Sequence, residues 1–182
     1  MVVRWVQNHE CILMTYDARA VANFFLSQAD ERDMGLTPMT LLKIMYFAHA
    51  WYLVKYDKPL VGQPFEAWKH GPVSRVVYDE VKQYGSAVVS EKLKKFDPRK
   101  LEFAYANDSF SMEEEQLLID VFRYYAQFHA YQLSDLTHEV NSPWDKVWKE
   151  AETKAVPGMF ISNDMIKEWF SVPGGRLKVV PD

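Results

Sequence analysis

His49, His70, His129 and His138 are the first residues to test for chemistry, and their spacing argues against it. None stands in an H-x-x-x-H pair, and the single cysteine, Cys11, cannot build a thiolate cluster. A zinc or iron site would therefore need ligands from four distant elements. His138-Glu139 lacks the second histidine of a metallopeptidase helix and reads as a helix-surface pair. No serine sits in a G-x-S-x-G elbow, and no glycine-rich loop follows a strand; Gly174-Gly175 falls near the C-terminus instead. Glu113-Glu114-Glu115 could pair carboxylates for acid–base work. They stand in the first turn of a helix, however, where negative charge complements the macrodipole. Arg75 and Asp79 fit a weak i,i+4 pair. These residues point to no catalytic centre, no metal and no cofactor.

Two groups of side chains suit binding better than catalysis. Lys92, Lys94, Lys95, Arg99 and Lys100 form a basic run in a polar stretch. The whole chain carries a formal charge of −4, so it offers no general electrostatic case for nucleic acid or an anionic membrane, and the run reads as a solvated connector. Phe65, Trp68, His70, Pro72, Trp144 and Trp148 are large or rigid residues beside helix starts. Such amphipathic residues at a surface have the composition of a protein-binding hot spot, although Trp144 and Trp148 also fit an ordinary helix-packing face.

The elements that must position these residues are mostly helices. A chain of 182 residues with 48% hydrophobic and 15% aromatic content can bury a substantial core and is read as one domain over residues 14–171. Thr15 or Asp17 opens a first helix, and Thr37-Pro38 opens a second that runs over 38–56. Thr40, Lys43 and Lys55 supply its narrow polar wedge, so it belongs at the centre of a bundle, with His49 as a hydrogen-bonded core residue. Residues 65–69 and 101–105 alternate as short strands and are expected to pair in a small antiparallel sheet. Gly71-Pro72 is expected to start a third helix that Gly85 stops, followed by a polar connector over 86–100. Ser111 and Glu114 form a capping box for a fourth helix. Ser134 caps a short helix over 135–140, Ser142-Pro143 restarts another, and Asn163 or Asp164 begins the last. The fold class is mostly α (α+β), around a buried central helix.

Residues 1–13 read as an extension with Met14 as an alternative start, since Arg4 and Asn8-His9-Glu10 interrupt any apolar leader core. Residues 172–182 read as a flexible tail. The longest apolar run spans eleven residues, 44–54, short of the roughly 20 that a membrane helix needs.

Certain strings carry a resemblance. Leu42-Lys43-Ile44-Met45-Tyr46-Phe47-Ala48-His49-Ala50-Trp51 is followed by Glu66-Ala67-Trp68-Lys69-His70-Gly71-Pro72-Val73, then by Leu136-Thr137-His138 and Ser142-Pro143-Trp144. In this order and spacing they resemble the Panacea family, the SocA-like antitoxin domain of bacterial and prophage toxin–antitoxin pairs. The likeness covers about residues 16–170. It implies a cytoplasmic, non-enzymatic protein that neutralises a co-encoded toxin by direct binding. The candidate partner-binding residues are Trp68, His70, Gly71, Pro72 and Trp144. Two other classes stay open: a protease adaptor that delivers a toxin-like client for degradation, and a nucleic-acid-acting enzyme assembled from scattered residues. Self-association is also left open.

Overall fold

The computed structural model describes residues 15–154 and 157–172. The expectations for residues 1–13, including Cys11, and for the tail beyond residue 172 lie outside the described residues.

Seven α-helices and five short strands are ordered α1 (Ala18–Asp30), α2 (Pro38–Tyr56), β1 (Phe65–Trp68), β2 (Gly71–Ser74), α3 (Arg75–Val81), β3 (Lys94–Asp97), β4 (Glu102–Tyr105), α4 (Met112–Tyr125), α5 (Ala130–Thr137), α6 (Pro143–Thr153), β5 (Phe160–Ile161) and α7 (Asn163–Phe170) among the described residues. The architecture is mostly helical with small antiparallel sheets, as the sequence predicts. At its centre is α2. The Thr37 hydroxyl accepts from the Thr40 amide at 3.3 Å, Pro38 occupies the first turn, and Asp57 ends the helix in the left-handed region. Every residue from Leu41 to Leu53 is buried, so this helix presents core on all sides. Helices α1, α4, α5 and α7 pack around it. Phe47 stacks on Tyr125 at 4.1 Å, and the indole of Trp51 donates to the Tyr125 hydroxyl at 3.1 Å.

His49 is the core histidine expected. The Val61 amide donates to its Nδ1 at 3.4 Å, which leaves the proton on Nε2 to donate to Asn163 Oδ1 at 2.9 Å. Burial pushes its pKa down to about 4, so it stays neutral. Glu114, in the capping box with Ser111, also accepts from Tyr16 at 2.7 Å and from Tyr52. Burial alone would raise its pKa. The hydrogen bonds from Tyr52, Ser111 and Tyr16 outweigh it and bring the pKa down to about 2. The glutamate is an acceptor that ties α4 to α2, beyond its contribution at the helix dipole.

Several local expectations are corrected. Strand β4 does not pair with β1. It pairs with β3 in a separate hairpin, Phe96 facing Phe103, while β1 is the middle strand of a sheet ordered β2-β1-β5. Alternation reveals a strand but not its partner, and the nearest strand in sequence closes the shorter loop. The stretch 86–100 is therefore not all polar connector: Val89 and Leu93 are buried and β3 lies within it. Gly71-Pro72 opens β2 rather than a helix, and α3 starts at Arg75. Proline is tolerated there because β2 is an edge strand. Helix α5 begins at Ala130, so Ser134 lies inside it and does not cap it. Arg75 forms its ion pair with Glu66 at 2.8 Å, not with Asp79.

Candidate functional site

The residues singled out from sequence converge on the two-residue turn between β1 and β2. Trp68 faces Gly71 in the register, leaving Lys69 and His70 at the tip. Three carbonyls of this turn each accept from a side chain of a different helix. Trp144 Nε1 (α6) donates to Trp68 O at 2.8 Å, Ser134 Oγ (α5) donates to His70 O at 2.9 Å, and Lys43 Nζ (α2) donates to Pro72 O at 3.0 Å. These bonds tie the turn to three helices and fix it from beneath.

Lys43 departs most from the sequence reading. It belongs to the narrow polar wedge read from sequence, yet only 2% of it is exposed. Its path explains Gly71. That glycine has φ +101°, and a Cβ on it would sit 2.6 Å from both Lys43 Cε and Thr137 Oγ1. A side chain at position 71 is thus excluded both by backbone conformation and by space. Burial brings the Lys43 pKa down to about 7. His138 stacks on Trp144 at 3.8 Å, and its pKa is lowered by burial and then by the Lys43 charge. Trp148 extends the stack at 5.4 Å from Trp144.

On the strand side, Glu66 is buried and holds the Arg75 guanidinium through both oxygens, at 2.8 and 2.9 Å. Burial would raise the Glu66 pKa, but Arg75 and the Trp68 indole, which donates at 2.7 Å, hold it below the usual carboxylate range. Arg75 lies over the Trp68 ring at 5.3 Å, and Tyr78 meets the same ring edge-on at 4.7 Å. The five candidates thus divide. Trp68 is half-buried and His70 exposed, whereas Gly71, Pro72 and Trp144 are buried and shape the turn from within. Sequence reasoning missed Lys43, Ser134 and Glu66. The one available signal was a lysine in a helix read as buried on nearly all sides.

Among the described residues, no three His, Cys, Asp or Glu side chains come together as a metal site, and no helix is long and apolar enough to cross a membrane. Fold and site describe a helical protein that holds a braced turn at its surface. The family model "Antitoxin SocA-like, Panacea domain" matches residues 41–145, a span that includes Lys43, the whole β1–β2 turn, Ser134 and Trp144, and the chain belongs to that family. It is 31% identical over 165 residues to Antitoxin SocA of Caulobacter vibrioides (strain NA1000 / CB15N), covering 91% of this chain and 88% of that one. No solved structure matches the chain. Membership supports an antitoxin role.

Proposed function

We propose that this protein is an antitoxin that neutralises a toxin encoded beside it by binding that toxin directly in the cytoplasm, with no chemistry of its own. The observation that carries this reading is the bracing of the β1–β2 turn. Three helices hold its carbonyls, while Trp68 and His70 remain at the surface. A loop fixed in advance loses little entropy on binding, and half-buried tryptophan is a typical interface anchor. In this reading Trp68 and His70 touch the toxin, and Gly71, Pro72 and Trp144 hold them in place.

The test is co-expression with the adjacent gene, followed by pull-down. Trp68→Ala and His70→Ala should each weaken the complex by about 2 kcal/mol, roughly thirtyfold, and fail to rescue growth. Circular dichroism and melting should show both variants folded, since His70 is exposed and Trp68 is not fully buried. A neighbour that is harmless alone, or that stays toxic when this protein is abundant, sinks the antitoxin reading. Rescue without a stable complex, with the client disappearing faster, replaces sequestration by delivery to a protease.

A further inference from the structure

We infer that the cavity beside the β1–β2 turn is an anchor pocket for an acidic segment of a protein partner, taking one aromatic or long aliphatic side chain while a flanking carboxylate meets Lys69. This rests on the partner-binding reading above and deepens it.

The cavity, of about 220 Å³, lies between the first turns of α2, the β1–β2 turn and α3. That volume suits a single large side chain. Met39, Leu42 and Val73 form its apolar side, and the edge-to-face pair of Trp68 and Tyr78 forms its aromatic wall. An apolar residue of a partner therefore finds continuous apolar surface, the usual setting of a hot-spot anchor.

Charge decides what surrounds that anchor. Lys43, Lys69 and His70 line the cavity, and no carboxylate does. The nearest acid on β1, Glu66, is occupied by Arg75 and Trp68. Neither Lys43 nor Lys69 belongs to any of the ion pairs among the described residues. Lys43 is buried and bonded to the Pro72 carbonyl, so Lys69 is the exposed cation of the lining. A chain with net charge −4 therefore keeps an exposed lysine, and no carboxylate, around an apolar hole. Acidic residues beside an apolar anchor complement both features. A nucleotide is a poorer fit, because Met39, Leu42 and Val73 offer no group to read a base edge.

Protein labelled with 13C at the methionine methyls reports on the pocket through Met39, assigned by its loss in Met39→Leu. The probes are N-acetyl-Glu-Phe-Glu-amide, the Glu-Ala-Glu and Lys-Phe-Lys analogues, AMP and inorganic phosphate. The first should shift the Met39 signal saturably, and the two analogues should bind about tenfold more weakly or less. Lys69→Glu alters an exposed side chain and should reverse the preference toward Lys-Phe-Lys. Absence of a saturable shift overturns the inference, as does equal binding of Lys-Phe-Lys. Displacement of the peptide by AMP or phosphate at equal concentration overturns it in favour of a small-anion site. None of these outcomes depends on the neighbouring gene, so a failed pull-down with wild-type protein counts against the antitoxin reading alone.

Discussion

The molecule contains two hairpins of matching size, β1–β2 and β3–β4, each with four-residue strands in a four-pair antiparallel register. One is embedded and the other stands out. All of β2 and most of β1 are buried, whereas Phe96, Phe103 and Tyr105 of the second hairpin are each at least half exposed. The first is braced by Trp144, Ser134 and Lys43 at its own turn. The second is held at its base, where Asn23 donates to Leu93 O and Ala106 O, both at 2.8 Å, and accepts from Leu93 N at 2.7 Å. Strand pairing alone does not fix a turn. Side chains from helices that already belong to the core do so here, and they do so where the functional candidates sit.

The largest effect on this contrast should come from Gly71→Val. A β-branched residue at φ +101° is strained, and its Cβ meets Lys43 and Thr137, both of which are buried. Strain and overpacking together should destabilise the protein by about 3–5 kcal/mol in urea unfolding. The variant should also lose toxin binding where it remains folded, because Trp68 and His70 would be re-aimed. Gly85→Ala is the control: φ is again positive at +55°, but the added Cβ meets nothing within 4 Å. Its effect should stop at about 1–2 kcal/mol. Equal losses at the two glycines would show that packing under the β1–β2 turn is loose.

Lys43 gives an intermediate effect with a distinctive pH dependence. Its pKa is about 7 in the folded protein, against 10.5 for an ordinary lysine. Between those values the unfolded chain binds more protons, so raising the pH stabilises the native state, with a slope of at most about 1.4 kcal/mol per pH unit. Below pH 7 both states are protonated, and the full burial penalty is present and flat. Urea unfolding from pH 6.5 to 9.5 should therefore show wild type gaining roughly 3 kcal/mol relative to Lys43→Met, which lacks the titrating group. Parallel curves would mean that the ammonium keeps access to water.

Much of the braced hairpin was unreadable in the sequence, for identifiable reasons. The course of α2 could be read because a largely apolar stretch follows the Thr37-Pro38 helix start and carries only a narrow polar wedge. The caps at Thr37, Ser111 and Ser142 were equally legible, since each rests on local chemistry. Helical periodicity places Lys43 on the narrow polar wedge with Thr40 and Lys55 but names no partner for it. Only the approach of the Pro72 carbonyl, 29 residues later, gives its ammonium a partner inside. Ser134 was misread as a cap because serine commonly caps helices, whereas here it reaches across to His70. Trp68, His70 and Trp144, grouped by residue type, lie together at the β1–β2 turn. That Trp144 supports the turn from beneath could be seen only from its bond to Trp68.

The smallest effects should come from the exposed hairpin. Phe96 and Phe103 touch edge-to-face at 5.5 Å, yet they are 50% and 68% exposed, so little apolar surface leaves water when the hairpin forms. Phe96→Ser with Phe103→Ser should shift stability by about 0.5 kcal/mol or less, as for other surface changes away from the core. Lys94→Ala with Lys95→Ala should cost about 1 kcal/mol or less, since exposed charges contribute weakly. Lys94 does lie over the Tyr105 ring at 5.4 Å, but that contact is at the surface and is worth about 0.5–1 kcal/mol at most. Rescue of cells expressing the neighbouring toxin should be unchanged in both double variants, because the proposed contact surface is the other hairpin. Loss of rescue with unchanged melting in either variant would move the binding surface to β3–β4. The bracing of the β1–β2 turn would then be an ordinary feature of the core.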